Sequence, residues 1–385
     1  MISSGLRNIR RYLDRFAEPA PLPNTPVVRH AVVIPAFAEG DGLVPALASL
    51  PRTAGPTAAI VVVNAPKDAT ADERRRTQES LEALASAKDA LTGITLLLVE
   101  RTSETHPLPR KEGVGRARKI GFDLAIRLFA AGKLQSRFIH TTDADVRLPA
   151  TYLSATDRVD KHAVAVTYPF EHAIVCPGDE AYIAEGRAYD AYLQHYVDGL
   201  RYAGSPYAYH TVGSTLAIDV EAYAAVRGMP KRAAGEDFHV LNKLRKLGPI
   251  DTVSSDPLRL SCRPSERTPY GTGQKVREWS AGAPMFYHPQ VFAGLRRVLD
   301  AEPEFRGGRT PEFGADALGR HVRDAVDELG IRGAVARAQT AARTPAQRKA
   351  KFDLTLDALQ TLRLIHGLER RGYEKLPDRQ LPNSD

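Results

Sequence analysis

Cysteine is nearly missing from this 385-residue chain. The two that occur, Cys176 and Cys262, can build neither a disulfide framework nor a four-ligand zinc site by themselves. Such scarcity suits a reducing compartment, so a cytoplasmic location is expected. Long hydrophobic runs are missing too. No segment approaches the ~20 apolar residues that a membrane-spanning helix needs, and the first 26 residues hold no unbroken apolar stretch of the signal-peptide kind. Nucleophile signatures are absent: there is no GxSxG, no HExxH and no paired CxxC. No internal repeat or low-complexity tract occurs.

What is present is the composition of a soluble globular protein, 43% apolar and 26% charged. Fifty-three Lys and Arg against 46 Asp and Glu leave a formal charge of +7, a bias toward anionic ligands such as phosphates that does not by itself call for nucleic acid. Residues 5–17 predict a basic amphipathic helix with Leu6, Ile9, Leu13 and Phe16 on one face. Two readings of it stand: a helix docked on its own domain, or a peripheral contact with anionic lipid on the inner face of a membrane. Prolines from Pro19 to Pro26 then form a linker, which makes residues 1–28 an N-terminal arm.

From Val28 onward, short β-rich runs (AVVIP at 31, AAIVVVN at 58, ITLLLVE at 94, RFIHTTD at 137, AVAVTYP at 163) alternate with helical stretches at 43–50, 71–87, 114–131 and 149–159. That order predicts a mostly parallel central sheet with helices on both faces, over residues 29–290. Tyr182, Tyr189, Tyr192 and Tyr196 fall on one side of a further helix, as core packing or as a sugar-stacking platform. Residues 291–385 read as a helical C-terminal extension. Its stripe of Phe352, Leu356, Leu359 and Leu362 is expected to pack on the domain or to form a homodimer, and its basic residues Arg337, Arg343, Arg348, Lys349 and Lys351 to form a solvated face.

Four features carry chemistry. Asp143-Ala144-Asp145 follows the strand at 137, and in extended backbone its two carboxylates point the same way and can converge on a hard cation, Mg²⁺ or Mn²⁺; the alternative is a solvated turn. His288 is a candidate third ligand, with a structural histidine as the other reading. GEDFHVLNKL at 235 opens a helix on Glu236 and Asp237, either as dipole partners or as a fixed general base. RKEGVGRARKIG at 110 combines Gly113 and Gly115 with Arg110, Lys111, Arg116, Arg118 and Lys119, a helix start suited to a diphosphate, although it is neither a P-loop nor GxGxxG. Arg263, Arg267, Gly271 and Gly273 lie in a loop that could close over phosphates, ahead of Gln274, Arg277 and Trp279.

In chain order these segments resemble the family 2 nucleotide-sugar glycosyltransferases of the GT-A fold. VVIPAFAEGDGLVPALASL at 32 is similar to that family's V-V-I-P-A-Y-N-E strand, turn and helix; AIVVVNAPKDAT, VGRARKIGFDLAIR, TDADV, VGSTLAI and GEDFHVLNKL follow in the family's order, so that the resemblance covers about residues 30–290. It implies a GT-A, Rossmann-like α/β fold and a metal-dependent, inverting transfer from a nucleoside diphosphate sugar to a hydroxyl acceptor. Pro35, Ala36 and Glu39 would border the nucleoside, Arg116 and Arg118 would approach the nucleotide, Asp143 and Asp145 would hold ribose and metal, Asp237 would be the base, and Arg263 and Arg267 would add charge at the leaving group. Asn64 stands where the family usually has Asp against the base, so uracil specificity does not carry over. Gln274-Lys-Val-Arg277-Glu-Trp279 is one residue longer than the processive members' Gln-x-x-Arg-Trp, and a polymer-extruding synthase is not expected. Nucleotidyl transfer, retaining transfer and a non-catalytic nucleotide-sugar module are the alternatives.

Overall fold

The computed structural model describes residues 4–52, 54–87, 90–102, 106–174, 182–263, 279, 284–307, 309 and 311–382. They pack as two compact units, Met1–Arg187 with Thr211–Glu278, and Ala188–His210 with Trp279–Asp385. The division therefore falls within the helix that ends at Tyr202, again after His210 and again after residue 278, whereas the sequence suggested a boundary at 290 between domain and extension.

In the first unit a seven-stranded sheet forms the centre. Its strands are β1 (His30–Ala36), β2 (Thr57–Asn64), β3 (Ile94–Arg101), β4 (Phe138–Thr141), β5 (Ala165–Thr167), β7 (Leu216–Asp219) and β8 (Ile250–Thr252), in the order β3-β2-β1-β4-β7-β5-β8. Neighbours pair in parallel except at β7, which runs antiparallel to both β4 and β5. β6 (Phe170–Ile174) and β9 (Leu258–Ser261) form a separate parallel pair. β1 and β2 are buried along their whole lengths, which is why, apart from His30, Thr57 and Asn64 at their ends, their sequences are apolar with no alternation. One face of the sheet meets α2 (Leu43–Ala48) and α3 (Ala71–Ala87): Val32, Ile34, Val61 and Val63 share a core with Leu43, Leu47 and Leu84. Alternate residues face the other way, where α4 (Gly113–Ala130) lies and Val62 packs with Ala117 and Ile120. Helices thus cover both faces. At Gly121 any Cβ would stand 2.3 Å from Val33 Cγ1, so the missing side chain is what seats α4 against β1.

The helix expected at 149–159 does not form; the segment is a run of turns ending in a 3-10 helix at Ser154–Arg158. Tyr152 is drawn fully into the core, with its hydroxyl 3.3 Å from the Thr141 carbonyl, and Thr156 Oγ1 bonds the Leu153 carbonyl, a local bond that competes with helix continuation.

The arm is docked. α1 (Ser4–Arg15) packs on α4 and α6 (Val220–Ala225), burying Ile9 and Tyr12, while Phe16 stays partly exposed. The Tyr12 hydroxyl donates to Asp123 Oδ1 at 2.5 Å and accepts from Lys119 Nζ at 2.7 Å, and Lys119 also reaches Asp123 Oδ2 at 2.9 Å. Lys119, read from sequence as a phosphate cation, is therefore a buried anchor of the arm. Of the apolar residues on that face, Ile9 is buried, Leu6 and Leu13 are half-buried, and Phe16 is exposed. Among the described residues no helix is long and apolar enough to cross a membrane.

In the second unit the latter part of α5 (Ile183–Tyr202) joins α8 (Pro289–Asp300), α9 (Glu302–Arg306), α10 (Ala317–Glu328), α11 (Ile331–Thr340), α12 (Pro345–Thr355) and α13 (Ala358–Glu369) around Phe292, Leu295, Val322, Phe352, Leu364 and Leu368. Gly199 admits the Phe292 ring, which would lie 2.3 Å from a Cβ there. The expected stripe breaks after Leu356, because Asp357 caps a new helix by accepting from Leu359 and Gln360 N–H groups; beyond it Leu364, Ile365 and Leu368 continue the buried face in place of Leu359 and Leu362. His288 is the N-cap of α8, its Nδ1 accepting from Gln290 N at 3.1 Å.

Candidate active site

Chain order along the sheet explains where the chemical residues gather. The chain goes from β1 outward to β2 and β3, then returns to the other side of β1 as β4, so the carboxyl ends of β1 and β4 bound a topological switch point, where open α/β sheets bind ligands. Pro35 and Ala36 end β1, and Glu39 sits in the turn beyond it. Asn64 ends β2 and donates from Nδ2 to the Ala36 carbonyl at 3.1 Å, tying the two strand ends together. β4 ends at Thr141, and Asp143 and Asp145 follow. They are not in extended backbone as the sequence suggested but in a turn closed from Val146 N to the Asp143 carbonyl at 3.4 Å. Alternation persists nonetheless. Ala144 and Val146 are buried, whereas the Asp143 and Asp145 side chains are 41% and 31% exposed.

β7 runs antiparallel to β4, so the residues just before it, Val212–Thr215, arrive at the same end. α7 (Glu236–Leu244) starts there as well, entered through Gly235 in the left-handed region at φ 71°. Arg118 joins these pieces. From the first turns of α4 its buried guanidinium bonds the Glu236 carboxylate through Nη1 and the Asp143 carboxylate through Nη2. Three motifs separated widely in sequence thus meet on one side chain. Asp143 and Glu236 hold Arg118 strongly protonated against the desolvation that burial imposes.

Gly213 makes this possible and is not among the residues the sequence singles out; only its place in VGSTLAI marked the strand. A Cβ there would lie 2.6 Å from Arg118 Nη1. We expect Gly213→Ala to push the guanidinium off its partners and to lower stability by about 1–3 kcal/mol, the usual range for overpacking, in thermal or denaturant unfolding. An unchanged midpoint would show that Arg118 has room to spare.

Asp237, beside Glu236, is half-buried. Its Oδ1 accepts the Phe238 N–H at 2.7 Å, and the Gly213 backbone also bonds it. Burial, with the neighbouring Glu236 charge adding to it and Arg118 opposing, raises its carboxyl to about 7. Glu236 is placed differently: its side chain is 3% exposed and paired with Arg118.

The basic motif at 110 is divided among other tasks. Gly113 and Gly115 are approached by the protein's own backbone: Gly115 N donates to the Arg232 carbonyl at 3.0 Å, and a Cβ at Gly115 would lie 2.5 Å from the Pro230 carbonyl oxygen. The helix start expected to cradle a diphosphate is filled by residues 230–233. Arg116 pairs with Glu112 at 2.8 Å and Glu18 at 3.2 Å, and lines a cavity of about 450 Å³ with Glu100, Arg101 and His106; Arg110 pairs with Glu73 and Asp68. Of the five cations in that motif, Arg118 alone meets the DxD segment in the contacts described here. Arg263, by contrast, arrives from β9. Arg147 and Arg259 exchange backbone bonds at 2.9 and 3.0 Å, and Arg263 Nη2 then lies 3.0 Å from Glu39 Oε2 and 3.4 Å from Asp145 Oδ2. Arg267, Gly271, Gly273, Gln274, Arg277 and Cys176 lie outside the described residues.

Among the described residues no cluster of three or more His, Cys, Asp or Glu side chains is arranged for a metal ion. What the site offers is two hard, partly exposed carboxylates, a set that suits Mg²⁺ or Mn²⁺ only when substrate phosphates and water complete the shell.

No protein-family model matches this chain, and no curated protein matches it. Among solved structures it is similar to S. aureus TarS. Residues 1–349 of that protein match with 10% identity over 85% of this chain and 90% of that one, at a TM-score of 0.40. The same segment in complex with UDP-GlcNAc matches with 11% identity over the same shares at 0.43. A further S. aureus TarS structure matches with 11% identity over 85% of this chain and 55% of that one, at 0.38.

Proposed function

We propose that this chain is a GT-A type glycosyltransferase that moves a sugar from a nucleoside diphosphate sugar to a hydroxyl acceptor, with inversion at the anomeric carbon. The observation that carries the reading is the Arg118 bridge, which fixes the DxD turn on one side and the Glu236–Asp237 helix start on the other. A two-substrate transfer needs that juxtaposition: a pole that neutralises a leaving diphosphate and, within reach, a base for the incoming hydroxyl. A half-buried carboxylate whose proton affinity is raised, placed beside the DxD turn, favours a reacting group over a purely binding one.

In this mechanism Asp143 and Asp145 would hold Mg²⁺ or Mn²⁺, which when bound would supply Lewis-acid neutralisation of the diphosphate. Asn64 and the end of β1 border the nucleoside, and the Arg263 guanidinium, already beside Asp145, is in range of the same phosphates. Asp237 takes the acceptor proton as the new bond to the anomeric carbon forms on the face opposite the leaving oxygen. Its elevated proton affinity suits that task, because a base that titrates near the working pH is both ionised in part and basic enough to act.

The test is a thermal-shift panel of nucleoside diphosphates and their sugars, UDP-GlcNAc included, with Mn²⁺ or Mg²⁺, followed by product analysis. Ligand at ~100 times its dissociation constant stabilises by about 2.7 kcal/mol, which such a panel detects. Release of a nucleoside diphosphate is expected; release of pyrophosphate would make the chain a nucleotidyltransferase. Turnover is expected to vanish in excess chelator and to return with either cation. Full activity in chelator would remove the metal from the mechanism.

A further inference from the structure

Asp145 has a competitor for any cation. Arg263 Nη2 bridges Asp145 Oδ2 at 3.4 Å and Glu39 Oε2 at 3.0 Å, with its own side chain 21% exposed and that of Glu39 only 9%. The backbone that carries Arg263 is held as well: its N–H donates to Ser261 Oγ at 3.2 Å, and β9 is pinned to the turn after the DxD by the paired backbone bonds of Arg147 and Arg259. A divalent ion on the Asp145 carboxylate would stand against this positive charge, so the two compete for the carboxylate.

We infer that Arg263 is a tethered counter-cation, which holds Asp145 in the donor-free protein and makes divalent-ion binding there depend on nucleotide. The inference rests on the DxD reading given above. A diphosphate gives the guanidinium a partner at least as good as the carboxylates, since a planar fork matches phosphate oxygens in pairs. Once Arg263 transfers to the phosphates, Asp145 is released to the ion, and the ion gains phosphate oxygens at the same moment. Linkage then requires the reciprocal effect: the ion tightens nucleotide binding by the factor by which nucleotide tightens the ion.

The experiment measures Mn²⁺ binding to the full chain by electron paramagnetic resonance or calorimetry, alone and with each of UDP, GDP and CDP, for the wild type, Arg263→Gln and Arg263→Lys. Loss of one charge-assisted contact sets the expected scale. Without nucleotide, Arg263→Gln is expected to bind Mn²⁺ roughly tenfold or more tightly than the wild type, and its further gain on adding nucleotide to be smaller. Arg263→Lys, which keeps the charge without the fork, is expected to fall between them and serves alone if the Gln variant does not fold. Equal Mn²⁺ affinity of the nucleotide-free proteins overturns the inference and leaves the DxD reading standing. Nucleotide binding with no Mn²⁺ binding in any of the proteins overturns both.

Discussion

Arg118→Met is expected to lower the stability of this protein by about 3–5 kcal/mol, the range for removing one member of a buried ion pair, and to reduce turnover at least about a hundredfold. The two effects have different sources. Glu236, with a side chain only 3% exposed, loses its ion-pair partner, and that buried, unanswered carboxyl accounts for the stability loss. Asp143 contributes little to it, since at 41% exposure water screens its charge. Turnover falls for a geometric reason, because the DxD turn loses the bond that orients it, and for an electrostatic one, because Arg118 is the cation that opposes the rise of the Asp237 carboxyl. The double variant Arg118→Met, Glu236→Gln separates them. Removing both charges should recover much of the stability in denaturant melts, while activity stays low. If the double variant is as unstable as the single one, the cost lies in lost packing of the Arg118 side chain and not in the orphaned charge.

The parts of this molecule that the sequence makes legible are those whose cause is local. β1 and β2 are apolar apart from their polar end residues because both faces are covered, and α3 begins and ends at Ala71 and Ala87 as the pattern predicts. The DxD turn and the Glu-Asp helix start were recognisable for the same reason: a strand end and a helix start are written in adjacent residues. What was not legible depends on partners far along the chain. Nothing in RKEGVGRARKIG separates Arg118, which reaches the DxD turn, from Arg116, which pairs with Glu18, or from Lys119, which answers Tyr12 and Asp123. Helical spacing puts these cations on different faces, but the faces acquire meaning only once α1 and residues 230–233 have docked. Glycine was misread in a related way. Gly113 and Gly115 looked like room for a phosphate and are room for backbone, whereas Gly213, unremarked in its strand motif, is room for the guanidinium on which the site depends.

Asp237→Asn keeps the shape of the side chain and removes its basicity, so turnover is expected to fall by about 10²- to 10⁴-fold, the usual worth of a general base. Donor affinity should change little, since Asp143 and Asp145 are untouched; a parallel loss of both would assign Asp237 to binding. The pH dependence gives an independent check. Asp237 acts when ionised, so turnover should rise as pH increases through about 7 and then level off, and the Asn variant should lack that rise. Stability should move in the opposite sense. A carboxyl raised in the folded protein binds its proton more tightly there than in the unfolded chain, so its contribution is present at pH values below the unfolded value, near 3.8, and is lost as pH climbs through the folded value. Asn carries no such charge at any pH. The variant should therefore match the wild type near pH 4 and become progressively the more stable of the two toward pH 7 and above, as wild-type Asp237 is forced to ionise beside Glu236. That pairing, a protein stabilised at neutral pH by the substitution that disables it, is expected of a reacting group held at a strained protonation state. A variant whose stability tracks the wild type across the whole range would mean that Asp237 is well solvated, and the base would then have to be sought elsewhere in the cleft.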